Sequence, residues 1–322
     1  MAQFWLVPAS IPTLPRCLEA SCARTIRDID GGVKPIFRRL RREEVPIAAD
    51  VFLVSLAELA RVNGLPAPVS YTREMVIPAY EHLLETGIFE VAELDGKIVG
   101  IAAATVRDAI WFLAMFWVLP EFKQQGIGRP LLERVQRLGD ERGATIRCVW
   151  SSIDFTAIAS YLKLGMMPGG PIFTFAGPLR TPPPAHAEAR LSELEPRHAS
   201  TIDRVVRGVT RERDHAFFRG RGMSGYQLQI AEQNVGYFYV KDGVIGPAAW
   251  TAPAQADALL SHALRQASTQ ASEVKLIALG VNQSAIRCAT HVGLRLVSAS
   301  HFLTSAQFGK LDCYLPSGPA LF

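Results

Sequence analysis

Two hydrophobic periods run along this chain, one of about 3.6 residues and one of 2, and each predicts its own elements. The stretch IFRRL (Ile36–Leu40) reads as a short strand. Glu43–Gly64 has apolar Ala48, Val51, Leu53, Leu56, Leu59 and Ala60 near helical spacing and a glycine at its end, which predicts a helix. A second helix is predicted over Thr72–Thr86, opened by a threonine cap. Three strands follow, at 88–94, 97–106 and 109–118, with Asp95-Gly96 as a two-residue hairpin turn between the first two. The third, AIWFLAMFWV, is almost wholly apolar and is expected to be buried on both faces. A stretch with two glycines comes next, then a helix to about Arg142 that stops at Gly143. A strand (145–152), a helix (154–165) and a last strand (170–177) complete the series.

PLRTPPPAH (Pro178–His186) then interrupts the pattern, and three consecutive prolines predict an extended, stiff linker over 179–186. Beyond it the order of elements starts again. Leu191–Val206 resembles the opening at Leu40–Val54, Val240–Trp250 echoes Glu93–Ala103, and Asn282–Leu294 echoes Asp154–Met166. Between the DG turn and the last helix the first copy has roughly 60 residues and the second roughly 40, so the second is expected to have lost the apolar strand and the glycine stretch. The expected organisation is an irregular N-terminal extension (1–35), a first domain (36–178), the linker, and a second, degenerate domain (187–322).

Composition narrows the function classes. The 322 residues suit two ordinary domains, and a net charge of +4 without any basic block argues against a nucleic-acid binder. The run Ala109–Pro120 is about half as long as a membrane-spanning helix. The first 15 residues lack the basic region of a signal peptide. Five cysteines without a CxxC and seven scattered histidines predict neither a disulfide scaffold nor a metal site, and point to a reducing cytoplasm. Cys148, in a strand, is expected in the core, and Gly222–Gly225 (GMSG) is one residue short of a nucleophile elbow.

The candidate chemistry lies in EFKQQGIGRPLLERV (Glu121–Val135). A strand runs into a turn and the turn into a helix N-terminus, where free amides carry partial positive charge and favour an anion such as a diphosphate. Gly126 and Gly128 let backbone approach phosphates without a Cβ in the way, and Pro130 is tolerated in a first helical turn. Leu131, Leu132, Val135 and Leu138 form the buried face. A P-loop would need GK[ST] after the second glycine, and a dinucleotide fingerprint would need glycine or alanine where Leu131 stands.

With its context, this stretch resembles the GNAT family of acetyl-CoA-dependent N-acyltransferases. The family's Arg/Gln-x-x-Gly-x-Gly/Ala reads here Lys123-Gln124-Gln125-Gly126-Ile127-Gly128, after VLPEF (Val118–Phe122). A second motif of Asn, Ala, Tyr and Gly is matched in spacing by Asp154, Ala157, Tyr161 and Gly165. The resemblance covers roughly residues 36–178. It implies an α/β (α+β) fold of two GNAT-like domains, each a mixed, mostly antiparallel sheet flanked by helices. It also implies transfer of an acetyl group from acetyl-CoA to a small-molecule or peptide amine by direct attack.

In that reading the pantetheine arm lies along Trp117, Val118 and Leu119. The pyrophosphate rests on Lys123, Gln124, Gln125, Gly126, Ile127, Gly128 and Arg129, with Asp154 where the family has a cofactor-bonding asparagine. Tyr161 is the general acid for the leaving thiolate. The fourth strand carries no carboxylate, so the base is open between Asp108, Glu121, a relayed water and an amine of low pKa. The acceptor side falls to the first two helices, with Tyr71, Arg73, Glu74 and His82, and to the loop near Met167–Pro171. The second copy has no Gly-x-Gly and has Ala289 in place of Tyr161. It is expected to complete the pocket, pack on the first half or support a homodimer. The alternative from another class is an acyl-CoA-binding sensor or scaffold without turnover.

Overall fold

A computed structural model describes residues 34–65 and 71–322. The expected N-terminal extension lies almost wholly outside the described residues. Pro35–Phe322 form one unit. Its first half runs β1 (Ile36–Arg39), α1 (Val45–Val62), α2 (Arg73–Thr86), β2 (Ile88–Leu94), β3 (Lys97–Arg107), β4 (Ile110–Val118), α3 (Gly128–Asp140), β5 (Ile146–Ser151), α4 (Phe155–Lys163) and β6 (Met167–Gly177). The second half repeats this order with β7 (Ala189–Glu193), α5 (Pro196–Arg207), α6 (Glu212–Gly220), β8 (Ser224–Ile230), β9 (Gln233–Lys241), β10 (Val244–Trp250), α7 (Ala256–Gln270), β11 (Val274–Leu279), α8 (Gln283–His291) and β12 (Arg295–Thr304). A short β13 (Tyr314–Leu315) follows.

The repeat is complete, which corrects the expected loss. Asp95-Gly96 turns β2 into β3, but Asp242-Gly243 turns β9 into β10, one hairpin later. Both pairs have positive φ, as a tight hairpin turn requires. Such a turn suits any hairpin, so matching the two DG pairs shifted the second copy by one strand. The turn equivalent to Asp95-Gly96 is Ala231-Glu232, which takes the same positive φ without glycine.

All thirteen strands belong to one mixed, mostly antiparallel sheet, in the order β1-β2-β3-β4-β5-β12-β6-β11-β10-β9-β8-β7, with β13 paired to β10. The last strand of each half is exchanged. β12 lies on β5, pairing His301–Thr304 with Cys148–Ser151, and β6 lies on β11, pairing Ile172–Gly177 with Val274–Leu279. Each half therefore contains a strand that the other supplies. The proline-rich segment is docked rather than free: Arg180 donates its amide to Val292, and Arg265 reaches the Pro183 carbonyl at 2.6 Å.

The core lies on both faces of this sheet. Trp111, in β4, is buried against α3 and donates to the Val135 carbonyl at 3.3 Å. Gly139 permits that approach, because a Cβ there would fall 2.3 Å from the indole. A buried ionic cluster also joins the halves. Asp214 of α6 meets His82 Nε2 at 2.7 Å and Arg107 Nη2 at 2.5 Å, and Arg107 donates as well to the Thr86 carbonyl.

Burial alone would raise the Asp214 carboxyl. Hydrogen bonds from His82 and Arg107, with the Arg107 charge, outweigh it and hold the group well below the usual carboxylate range. Asp203 of α5 is also buried, and Arg211 and His215 hold it low in the same way. A carboxylate depressed in the folded state stabilises the fold above its unfolded pKa of about 4 and loses that contribution as pH falls towards its folded value. Stability measured by chemical denaturation should therefore decline gently from pH 7 to about 5, where burial holds the His215 imidazole below its ordinary value, and fall more steeply below about 4. Asp214→Asn should cost about 3–5 kcal/mol at pH 7, since it strands Arg107, and should flatten the acid slope. An unchanged acid slope in the variant would show that Asp214 contributes nothing to it.

Candidate active site

The site begins where β4 leaves β5. The two strands run parallel from the Ile110–Ile146 pair to the Leu113–Val149 pair and no further. One residue on, the register of β4 against β3 shifts: Leu113 faces Ala104 and Met115 faces Ala103, so Ala114 is an extra residue. A bulge of this kind bends its strand. Beyond it β4 follows β3 as far as Gly100–Val118, while β5 continues with β12. A wedge opens between β4 and β5.

Backbone groups on the wedge side are partly spoken for. Leu119 donates its amide to Val99 at 2.9 Å, on the β3 side. Antiparallel pairing alternates, so Trp117 also bonds towards β3 and the peptide groups of Phe116 and Val118 face away. The Val118 carbonyl accepts from the Ser55 hydroxyl of α1 at 3.3 Å. The Trp117 ring packs edge-on against Phe52, at 5.3 Å, on the helix α1 face.

At the mouth of the wedge lies the glycine loop. A short 3-10 turn at Pro120–Phe122 leads into it, and α3 begins at Gly128. Gln124 and Gly126 have φ of 64° and 79°, whereas Ile127 is at −73°. Such alternation turns successive amides to one side. Among the described residues, the amides of Gln124, Gln125, Gly126 and Ile127 donate to no backbone carbonyl. Gly126 is open, with nothing within 4 Å of a built Cβ, whereas a Cβ on Gly128 would come to 3.3 Å from the Phe116 ring. The two glycines thus differ: Gly126 serves a left-handed turn, and Gly128 a close approach of α3 to β4.

Lys123, Gln124, Gln125 and Gly126 are exposed and Ile127 is buried. Lys123 Nζ lies 3.8 Å from Asp154, and the Arg129 guanidinium pairs with Glu133 at 2.7 Å. Asp154 caps α4, accepting from the amides of Thr156 and Ala157 at 3.0 Å each. The donor set of exposed amides at a helix N-terminus, with Lys123 beside them, fits a diphosphate.

Tyr161 projects from α4 into the same cluster. Its ring sits 6.2 Å from that of Phe116 and is buried. One side chain, Phe116, therefore meets both the start of α3 and Tyr161. Burial, with the Asp154 charge, raises the Tyr161 phenol well above its ordinary value, so it stays protonated across the neutral range. Among the described residues its hydroxyl has no hydrogen-bond partner.

The other candidates lie elsewhere. Asp108 is at the far end of β4, about 30 Å from Val118 by strand rise, and accepts from the Thr210 amide. Glu121 faces Lys97 at 3.5 Å on the surface. His82 is engaged by Asp214, Arg73 pairs with Asp50, and Tyr71 packs edge-on to Phe52 at 5.7 Å. Cys148 is fully buried, and burial pushes its thiol up to about 12. Among the described residues no group of His, Cys, Asp and Glu could hold a metal, and no helix is long and apolar enough to cross a membrane.

Three contributors escaped the sequence reading: Phe116, Ser55, and the strand β12. Ser300 of β12 accepts from the Trp150 indole of β5 at 2.6 Å, so the second half supports the β5 wall of the wedge. Nothing local pointed to any of the three.

Residues 56–166 match the profile of the acetyltransferase (GNAT) family. Solved structures resemble the chain over most of its length. One is a candidate acetyltransferase of Pyrococcus horikoshii, at 19% identity and a TM-score of 0.71, covering 89% of this chain and 96% of that one. Another is a GCN5-related N-acetyltransferase of Sphaerobacter thermophilus, at 17% and 0.59, covering 84% and 95%. A third is a tandem GNAT protein from the clavulanic acid biosynthesis pathway, at 15% and 0.55, covering 84% and 98%. No curated protein matches the sequence. At these identities the structures establish a shared fold.

Tyr161→Phe should keep the fold, because the ring does the packing and the hydroxyl has no partner. The expected change in stability is below about 1 kcal/mol, read from thermal unfolding. A loss of several kcal/mol would reveal a structural role for the hydroxyl.

Proposed function

We propose, from the chain's place in the GNAT superfamily, that the first half transfers an acetyl group from acetyl-CoA to an amine. The GNAT fold supports acyl transfer in general. The observation that carries the finer reading is the convergence at Phe116 of the amide-lined loop Gln124–Gly128 and the buried Tyr161. In this reading 36–178 and 187–322 are two GNAT-like halves, and the chemistry belongs to the first.

The amides of Gln124–Ile127, the α3 N-terminus and Lys123 hold the pyrophosphate. The outward peptide groups of Phe116 and Val118 hold the pantetheine arm within the wedge, with Trp117 and Leu119 anchoring that stretch of β4. The neutral amine attacks the thioester carbonyl, forming the C–N bond. As the C–S bond breaks, Tyr161 gives its proton to the departing sulfur, and the proton lost by the amine passes to water and from water back to the Tyr161 phenolate. Burial keeps the phenol protonated at neutral pH and at the same time makes it a weaker acid than a free phenol. Asp108 and Glu121 are both engaged away from the wedge, so the amine reaches it already neutral. Asp154, fixed as the α4 cap, steadies Lys123 beside the loop.

Calorimetric titration with acetyl-CoA tests the binding part. One site per chain, abolished by Gly126→Glu through blockage and charge repulsion, is expected; no binding by the wild type would overturn the reading. Tyr161→Phe should lower kcat by about 10²–10⁴ with the KM for acetyl-CoA little changed. Binding without turnover on a broad amine panel would favour the sensor or scaffold instead. The kcat/KM profile should rise with pH as the amine loses its proton and show no fall before pH ~10, because the acid's pKa is raised above that of a free phenol. A falling limb below pH 9 would assign the acid to another group.

A further inference from the structure

The second half has a wedge of its own, and it is filled. β10 runs parallel to β11 only at the Val244–Lys275 and Ile245–Leu276 pairs. Its register against β9 then shifts between Ile245 and Ala248, as that of β4 shifts at Ala114. Into the opening comes β13, pairing antiparallel with β10 through Ala248–Leu315 and Ala249–Tyr314 and bordering β11 on its other side. Among the described residues no strand does this for β4.

Several contacts hold β13 in place. Asn282, the fully buried cap of α8, donates its side-chain amide to the Tyr314 carbonyl at 3.1 Å. Gly246 leaves room for the chain, since a Cβ there would sit 2.6 Å from the Pro316 carbonyl oxygen. Buried Arg211 bonds the Tyr314 hydroxyl at 2.9 Å, while Asp203 and Tyr237 bond Arg211 at 3.0 and 2.7 Å. Arg207 donates to the Phe322 carbonyl at 2.8 Å. The Phe322 ring stacks on Phe112 of β4 and Phe302 of β12, at 5.3 and 5.1 Å.

We propose that the wedge of the second half is a binding slot for an extended peptide strand, occupied in cis by Tyr314–Leu315, with the turn at 316–322 anchoring that strand. An opened sheet leaves unpaired amides and carbonyls that require a partner. The first half leaves its wedge to an extended ligand, in the reading given above. The second half meets the same need with its own backbone and fixes it with a buried arginine pair. One consequence, which rests on that reading, is a single acyl-CoA site per chain. The slot itself does not depend on it.

Hydrogen exchange on the intact chain tests the slot directly. The Leu315 amide, paired with Ala248, should be protected to within about tenfold of the paired amides of β10. Exchange at the rate of exposed loops would overturn the proposal. In a second arm the chain is cut after Lys310. Its Tm should drop by ~5–10 °C, and a synthetic peptide of residues 311–322 should bind once per chain and restore it, whereas the reversed peptide should not. A cut chain with the wild-type Tm that ignores the peptide would also overturn it. If the cut chain does not fold, the exchange data decide. Neither arm uses acetyl-CoA, so failure of the acyltransferase reading would leave both results standing.

Discussion

β4 stays hydrogen-bonded to β3 along its whole length but parts from β5 after Leu113, and the site depends on that break. A parallel ladder that simply ended would leave a frayed edge. Here the extra residue Ala114 bends β4 away while β5 turns to a new partner, β12. The result is a stable wedge with backbone polar groups on its β4 side. The chain leaves β4 at the wedge's mouth and enters α3 over the Phe116 ring, where a Cβ on Gly128 would press on the ring at 3.3 Å.

Strand exchange ties this wedge to the second half. If β6 had returned to pair with β5, the first half would be complete by itself. Instead β5 is flanked by β12, and β6 is sandwiched between β12 and β11. Trp150, on β5, is tied to Ser300 of the other half. Asp214, on α6, is tied to His82 and Arg107. Each half is thus stabilised by groups it does not encode, which is consistent with a single cooperative unit over 35–322.

Local order was legible in the sequence wherever one element carried its own period. The helix face Leu131, Leu132, Val135 appeared as expected with Leu138 only half-buried, α1 and α2 were placed within about a turn, and the Asp95-Gly96 turn was read correctly. α3 stops at Asp140, slightly before the expected Arg142, and Gly143 carries the positive φ after it. What failed was any inference that needed pairing. Asp242-Gly243 has the chemistry of a hairpin turn but not the address of one, so it was set against the wrong hairpin. The exchange of β6 and β12 leaves no local trace, because Ile172–Gly177 has the same alternation whichever strand it joins. Phe116 sits in an apolar run where every residue looks like core; its role is set by Gly128 and Tyr161, which are distant in sequence.

The same distinction explains how two halves with one fold come to differ. Both bend the fourth strand, and both cap the helix after the fifth strand with a side chain that accepts from its first turn, Asp154 in one and Asn282 in the other. Asp154 lies beside Lys123, a charged side chain at the mouth of the open wedge. An asparagine has an amide to spare, and Asn282 spends it on the Tyr314 carbonyl. Tyr161 has a hydroxyl facing no protein partner, whereas Ala289 at the matching place only packs. The glycines are redistributed in the same sense. Those of the first half open backbone to the outside at Gly126, while Gly246 opens it to the chain's own Pro316. Two residue changes and one added strand thus separate an open wedge from one closed by its own chain.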